Sequence, residues 1–369
     1  MSIGRLIKDL RMARGWSQGR LATEINQQFG TSLTREYISR QWESCKSTPS
    51  GYYLRCLSAV LDVPLSVLED EVKRRTFISD VAATAIAPVV AGDLLMSGFS
   101  ARLQGGPSAD AWEDRLTTYG TDYMSMGAAD IQRRVAGELV VIQQQLDRPQ
   151  LWAVAARLMT LYAKTFPGSD GSKAVNWYRM AAEAADESGD TATRVWVRGR
   201  AAIALGYEGA SLGMADVFAG QAMAIGDGQP SLGLLNAVMG KAHAAAIRGD
   251  RAAALALADE GRRIHDVSGS YTQTSDYAVP WWRMNVFLSL LLARLGDEKG
   301  AVEAQDAARR ELPASLPRFA THLELHRGLM MARAGDKAGG LRYATTAMNA
   351  LPPEKHSLTL RMLMDEIRA

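Results

Sequence analysis

Cysteine is scarce in this sequence of 369 residues, which contains only Cys45 and Cys56. Two neighbouring cysteines cannot staple a chain of this length, whereas small secreted scaffolds contain many disulfides. The sequence therefore excludes a disulfide-stabilised scaffold and favours a reducing compartment. We expect that compartment to be the cytoplasm.

Long hydrophobic runs are also missing. The most apolar uninterrupted stretch covers residues 81–92, between Asp80 and Asp93, and it contains Pro88. Its length is well short of the roughly 20 residues that a bilayer requires. We expect a core or linker helix at this position and no membrane partner.

Signals for β-strands are nearly absent. Long segments of Ala, Leu, Met and Arg are broken by Gly-Asp, Pro and Ser, and alternating Val/Thr/Tyr runs bounded by Asn-Gly turns do not occur. With 47% apolar residues, the chain can bury an ample core. The pattern predicts an all-α fold that begins with five short helices near residues 3–13, 18–29, 35–44, 51–61 and 66–72.

The net charge of +2 is unevenly distributed along the chain. Residues 1–60 contain nine Lys or Arg and four Asp or Glu, a balance of +5, so residues 61–369 sum to −3. An excess of positive charge in one terminal segment is typical of a domain that binds nucleic acid. We therefore expect a basic head on a nearly neutral body.

The basic segment has the capping and apolar pattern of a helix-turn-helix. Ser17 caps a helix that begins at Gln18 and continues with a Leu-Ala pair. Thr34 caps a second helix over residues 35–43, which contains an Ile-Ser-Arg-Gln-Trp-Glu run. A leucine-rich helix follows Pro49.

Residues 5–64 resemble the helix-turn-helix of the xenobiotic-response-element, or Cro/repressor-like, family. That motif combines Ser/Thr-Gln-x-x-Leu-Ala, a turn, and a recognition helix with Ile/Val-Ser-x-Trp-Glu-x-Gly. The resemblance implies binding to double-stranded DNA, with Gln18 on a phosphate and with Lys46 and Arg11 also on phosphate. It implies that six residues face the major groove: Thr34, Arg35, Glu36, Tyr37, Ser39 and Arg40. The alternative is a helical module that docks on other proteins.

Three features depart from the family pattern. The connection between the second and third helices is about four residues longer than usual, which predicts a second helix extended by about one turn. Gln41 is an extra residue between Ile38 and Trp42, and it rotates Trp42 by about 100° around the helix. Cys45 stands where the family has a terminating glycine, so we expect the helix to end without a left-handed residue.

Internal repeats follow in the rest of the chain. Three Gly-Asp pairs, at 249–250, 296–297 and 335–336, share a frame of small residues seven and three positions before the glycine and five and twelve after it. Gly-Asp favours a turn, and small residues seven apart lie two turns along one helix face, where a neighbouring helix can approach closely. Weaker copies keep only the small pairs Ala174/Ala181 and Ala215/Ala222.

This register resembles the tetratricopeptide repeat, although the Gly-Asp pairs are 47 and 39 residues apart instead of about 34. The resemblance implies an α-solenoid of stacked helix pairs. The alternative is an irregular helical bundle. We predict a helix-turn-helix domain at residues 1–72, a linker with a connecting helix at 73–108, and a tetratricopeptide-like domain at 109–369.

No set of residues indicates catalysis, and we expect no enzymatic activity and no cofactor. His322 and His326 share a helix face, but they do not form the His-Glu-x-x-His arrangement and have no third ligand nearby, so we expect no metal. The aromatic residues Tyr277, Trp281 and Trp282 either line a groove for an effector or partner, or belong to the core.

The combination of the two domains resembles transcriptional regulators common in actinobacteria, some of which restrain sporulation and antibiotic production. The leading interpretation is a homodimeric, cytoplasmic DNA-binding regulator of development or secondary metabolism. Its repeats would receive a peptide, a small molecule or a protein and would also form the dimer contact. The alternative is an interaction scaffold whose helix-turn-helix head is a docking module.

Overall fold

The computed structural model describes residues 3–44, 46–63, 65, 68, 88–166 and 171–369. Within these residues the chain forms eighteen α-helices and no strand, so the predicted all-α fold is confirmed. No helix in this part of the chain is both long and apolar enough to cross a membrane. Cys45, most of the predicted fifth helix and the first part of the predicted linker lie outside the described residues.

The first four helices form the head. They are α1 (Ile3–Ala13), α2 (Gln18–Phe29), α3, which begins as Arg35–Tyr37 and continues as the π-helix Ile38–Glu43, and α4 (Gly51–Leu61). Ser17, Thr34 and Ser50 each accept a hydrogen bond from a backbone N–H three residues on. These caps explain why the helices begin where they do.

The departures from the family pattern are accommodated locally. Helix α2 extends to Phe29 and ends at Gly30, whose φ of 62° is left-handed, as expected for a lengthened second helix. The residue added at Gln41 is taken up by the π-helical turn, which contains more residues than an α-helical one. Ile38 and Trp42 therefore both remain buried in the head core.

The remaining helices, α5 to α18, form the body. Helices α5 (Pro88–Gln104) and α7 (Ala128–Gln143) pack together, and α6 (Ala109–Ser125) lies beside α7 and α8. Five hairpins follow: α8 (Leu151–Ala163) with α9 (Gly171–Glu187), α10 (Thr191–Glu208) with α11 (Leu212–Gly226), α12 (Leu232–Ile247) with α13 (Arg251–Ser268), α14 (Trp281–Arg294) with α15 (Glu298–Glu311), and α16 (Pro317–Arg333) with α17 (Lys337–Ala350). Helix α18 (Leu358–Arg368) packs on the last hairpin.

The Gly-Asp pairs form the turns inside the last three hairpins, as predicted. Each glycine has a positive φ, and the aspartates Asp250, Asp297 and Asp336 cap the helices that follow. A fourth pair, Gly189-Asp190, forms the same turn between α9 and α10, although no frame was recognised there. The first helices of successive hairpins contact one another, which produces a stacked, tetratricopeptide-like array.

Helices α10 and α12 approach each other closely through glycines. Gly199 and Gly206 of α10 face Gly233 and Gly240 of α12, again at a spacing of seven. A Cβ atom on Gly240 would lie 2.6 Å from the carbonyl carbon of Ala202. Only glycine permits the two backbones to come this close.

The head packs on the end of the body. Helix α4 contacts α18, and the guanidinium of Arg333 donates to the backbone carbonyl of Phe29 over 2.8 Å. Lys337 reaches Ser32 in the loop after α2, with an Nζ–Oγ distance of 3.4 Å. The docked side of the head thus consists of α4 and the end of α2.

Candidate nucleic-acid interface and cavities of the body

The side chains predicted to contact the major groove lie on the surface of the head with the body in place. Five of them are exposed and Ser39 is partly exposed; the exposed ones are Thr34, Arg35, Glu36, Tyr37 and Arg40. Lys46, in the loop after α3, is also exposed. The structure thus brings these residues onto or beside one helix.

The start of α3 is fixed by local contacts. Thr34 Oγ1 accepts from the backbone N–H of Tyr37 over 3.1 Å, so the cap side chain is occupied by its own helix. The Tyr37 ring packs edge-on against buried Trp42, with centroids 5.8 Å apart. These contacts hold the first turn of α3 in position while Arg35 and Glu36 extend into solvent.

Gln18 and Arg35 lie together at the edge of this surface. They line a shallow depression with Ser17, Gly19 and Arg11 at the start of α2. A helix N-terminus presents unpaired N–H groups and a positive dipole, which favour an anion. The phosphate contact of Gln18 stays a prediction, and the depression brings the start of α2 next to the exposed Arg35.

The amide of Gln18 also has a partner inside the head. Its Nε2 donates to Glu43 Oε2 over 2.7 Å, and Arg11 Nε donates to Glu43 Oε1 over the same distance. Arg11 is buried, and its Nη1 donates to the carbonyl of Trp16. The Arg11 guanidinium is thus bound by the Glu43 carboxylate, which ties α1 to α3, and a phosphate contact of Arg11 stays a prediction.

The three aromatic residues predicted to line a groove do not share one. Trp282 has no exposed surface, and its ring packs in a core cluster with Phe319, so its assignment to a groove is corrected. Trp281 is its neighbour in α14, points about 100° away and is 40% exposed, beside His265. Tyr277 packs against Trp196 with centroids 5.2 Å apart.

A cavity of about 100 Å³ lies elsewhere in the body, between α10, α14 and α16. We call it the basic cavity, because Lys164, Arg200, Arg283 and Arg318 line it. The aromatic rings of Tyr123, Tyr207, Phe287 and Phe319 also line it. No local sequence motif predicts this site, because its cations come from distant helices. The sequence signal that could have indicated it is the presence of arginine within otherwise apolar helical segments.

Asp276 is the central carboxylate beside this cavity. Its Oδ1 accepts from Lys164 Nζ at 2.5 Å, from Arg200 Nη2 at 2.8 Å and from Arg283 Nη2 at 2.8 Å. Although burial opposes it, these cations hold the pKa of Asp276 well below its usual value. Burial, followed by the proximity of Arg200, lowers the pKa of Lys164 well below its usual value.

A second cavity, of about 350 Å³, lies between the head and the body. Glu366 of α18 lies in it and accepts from Arg294 Nη2 at 2.9 Å, while Arg333 approaches within 3.9 Å. Arg55 of α4 faces the same cavity, and its Nη1 is buried without a hydrogen-bond partner. Glu208 lines both cavities, and burial raises its pKa to about 7.

His322 and His326 belong to a buried polar network. The Tyr207 hydroxyl lies 3.1 Å from His326 Nε2 and 3.4 Å from His322 Nδ1, and Ser289 Oγ lies 2.9 Å from His326 Nδ1. Burial lowers the pKa of both histidines, that of His322 to about 3. In the part of the chain that the structure describes, no group of three or more His, Cys, Asp or Glu is arranged to hold a metal ion.

Comparison with known proteins places the chain in no family. No protein-family model matches the sequence, and no curated protein matches it significantly. Among solved structures, the chain is similar to Bacillus thuringiensis PlcR, solved in complex with the peptide PapR7 and DNA, at 16% sequence identity and a TM-score of 0.36. The match covers 72% of this chain and 95% of that one.

Proposed function

We infer that this chain is a sequence-specific DNA-binding transcriptional regulator of the cytoplasm, whose head reads double-stranded DNA and whose body receives an effector. The observation that carries the proposal is the exposed first turn of α3. Arg35 and Glu36 are exposed there, beside the start of α2 with Gln18, and Arg40 is exposed in the π-helical turn that follows. Arginine pairs bidentately with guanine and glutamate accepts from cytosine, so this turn has the chemistry to read bases.

Selection from a randomised duplex library tests the proposal. The full chain is expected to enrich one sequence, and the affinity for it is expected to fall steeply with salt. Arg35→Ala is expected to cost about 1–3 kcal/mol and to relax the preference at one base pair. The matched control is Arg133→Ala, which removes an exposed arginine from the body and leaves binding unchanged.

Gln18→Ala separates positioning from base reading. Gln18 is assigned to a phosphate, so its loss is expected to weaken binding to all sequences alike and to leave the selected consensus intact. Equal losses on every sequence for both Arg35→Ala and Gln18→Ala would contradict the division of roles. A library that yields no enriched sequence with the full chain would favour the interaction scaffold.

A dimer is proposed because one head offers few base contacts. Two heads would bind half-sites about 34–36 Å apart, or a multiple of that distance, on a pseudo-palindrome. Helix α5 supports this proposal with an exposed apolar face of four side chains: Leu95, Met96, Phe99 and Leu103. Exposed apolar patches of this kind mark interaction surfaces, and we assign this one to a second copy of the chain.

Light scattering tests the dimer. The double variant Phe99→Asp and Leu103→Asp is expected to be monomeric, because charges cannot be buried unpaired in the interface. Val267→Asp is the control, since Val267 is 74% exposed on α13, away from α5 in sequence. A wild-type chain that is monomeric both free and on its selected DNA contradicts the proposal.

A further inference from the structure

The basic cavity contains more positive than negative charge. Its cations come from four parts of the body: Lys164 follows α8, Arg200 lies on α10, Arg283 on α14 and Arg318 on α16. The side chains of Lys164, Arg200 and Arg283 are each at least nine-tenths buried. Arg318 is 8% exposed. The facing carboxylates are Asp276, at the centre of the cluster, and Glu208, at its margin.

The polar atoms of the cluster are not all satisfied. Arg200 Nε, Arg283 Nε and Asp276 Oδ2 are buried and lack a hydrogen-bond partner. Several like charges around one carboxylate repel one another, and buried charges without a partner are costly. A further anion in the cavity would compensate the excess charge.

The cavity has room and a suitable lining for such an anion. About 100 Å³ holds several water molecules or the head group of such an anion, and the cavity opens to solvent, into which the rest of the anion can extend. Lys164 Nζ lies 4.0 Å from the centroid of the Tyr123 ring, so the cations and the aromatic rings face the same space. Ile203, Val286 and Phe287 add apolar surface. A purely inorganic ion would leave this surface uncovered.

We propose that the basic cavity binds a small organic anion. Its carboxylate or phosphate group contacts Lys164 and the arginines Arg200, Arg283 and Arg318, and its apolar part packs against Tyr207, Phe287 and Phe319. This inference rests on the proposed function, because it gives the body's effector a site and a chemical class. It concerns binding alone and does not require DNA.

Lys164 distinguishes binding from a purely structural role. Arg283 donates to the carbonyls of Ser275, Asp276 and Ala278, and Arg318 donates to that of Tyr123, so both hold the backbone in place. Lys164 donates a hydrogen bond to Asp276. When Lys164 is replaced, Asp276 still accepts from Arg200 and Arg283. Lys164→Met keeps the aliphatic stem and removes one of the mutually repelling charges.

Isothermal titration of the full chain, without DNA and at constant ionic strength, tests the proposal with four probes. Benzoate and phenyl phosphate carry the two head groups on an aromatic body, and acetate and inorganic phosphate carry them without it. We expect saturable binding of one molecule of benzoate or phenyl phosphate per chain, tighter than that of the matching small anion. The probe that binds more tightly identifies the head group.

Lys164→Met is expected to weaken that binding about tenfold or more, whereas Lys299→Met, which removes a lysine 91% exposed, leaves it unchanged. In buffer free of the probes, Lys164→Met is expected to melt at the same temperature as the wild type or higher. If that variant does not fold, Lys164→Gln takes its place in both measurements.

Three results would overturn the proposal: no saturable binding of either aromatic probe, binding that Lys164→Met leaves intact, or a preference for the inorganic ion. A purely structural cluster would instead give a Lys164→Met chain that melts lower and binds no probe. Failure of DNA selection with intact probe binding would count against the DNA-binding function and leave this site standing.

Discussion

Three histidines of the body are buried in a form that resists protonation. Burial, reinforced by nearby arginines or a neighbouring histidine, lowers the pKa of His243 and His326 well below 6.5 and that of His322 to about 3. In the unfolded chain the same side chains titrate near 6.5. Below that pH the unfolded state binds more protons than the folded state, so stability decreases as the pH falls.

Glu208 acts in the opposite direction. As the pH falls, Glu208 of the folded chain takes up a proton near pH 7, whereas the same glutamate in the unfolded chain titrates near 4.5. When the pH falls from 7.5 to 5.5, the three histidines lower the free energy of unfolding by about 4 kcal/mol and Glu208 raises it by about 2 kcal/mol. We expect the free energy of unfolding in urea to be about 2 kcal/mol lower at pH 5.5 than at 7.5.

The variant Glu208→Gln provides the check on that balance. It removes the opposing proton uptake, so the difference in the free energy of unfolding between pH 7.5 and pH 5.5 is expected to rise to about 4 kcal/mol. A stability that is flat or increases as the pH falls over this window would contradict the assignment.

At the scale of single residues, sequence reasoning succeeded where the signal was local. Ser17 and Thr34 cap the helices that their positions predicted, because a cap acts over three residues. It did not reveal the partners of Arg11 and Trp282, because Glu43 and Phe319 lie on other helices. The basic cavity was missed for the same reason, since Lys164 and Arg318 meet only after the array has folded.

Among the helices, the spacing of small residues determines how closely neighbours approach. The contact between α10 and α12 depends on glycine, since a Cβ on Gly240 would lie within 2.6 to 2.8 Å of the backbone of Ala202 and Ile203. Backbone atoms cannot move aside as the end of a flexible side chain can. The two helices would have to separate along their whole contact.

Gly240→Ala is therefore expected to destabilise the body by about 1–3 kcal/mol in urea unfolding, through overpacking. The matched control is Gly220→Ala in α11, an exposed helical glycine with no atom near the position of a new Cβ. That control is expected to stabilise the chain by about 0.5–1 kcal/mol through helix propensity. If both substitutions change the free energy of unfolding in the same direction, the close approach of α10 and α12 is not what constrains Gly240.

The element boundaries were predictable to a large extent because Gly-Asp turns punctuate the array. The two weak repeats correspond to α9 and α11, in which Ala174, Ala181, Ala215 and Ala222 are buried. The turn at Gly189 was not recognised, because it joins two hairpins and its flanking residues do not follow the frame of the others. The π-helical turn at Ile38–Glu43 was not predicted either, although the extra residue Gln41 was its visible cause.

Over the whole molecule, a buried ion cluster connects the head to the body. Although burial opposes it, Arg294, Arg333 and Arg55 hold the pKa of Glu366 below its usual value. Removing one member of a buried pair leaves the others uncompensated. Glu366 lies 3.9 Å from Arg333, which donates to Phe29 of the head, so the Glu366 carboxylate supports the docking of the head.

Glu366→Gln is expected to cost about 3–5 kcal/mol and to separate the unfolding of the head from that of the body. Hydrogen exchange of the α4 amides measures the second effect, and their protection is expected to fall while that of α12 persists. The control is Asp365→Asn on the same helix, whose carboxylate pairs with Arg368 near the surface. Unchanged protection of α4 in Glu366→Gln would show that this cluster does not hold the head.

The docking of the head on α16 and α18 also has a consequence in time. The carbonyl of Phe29 and its partner Arg333 are 304 residues apart. At about 5–20 residues per second of synthesis, Phe29 is made about 15–60 s before that arginine. In this interval the Tyr52 and Arg55 side of the head has no body to cover it, so the head core, with Ile7, Leu21 and Trp42, must hold the helices together by itself.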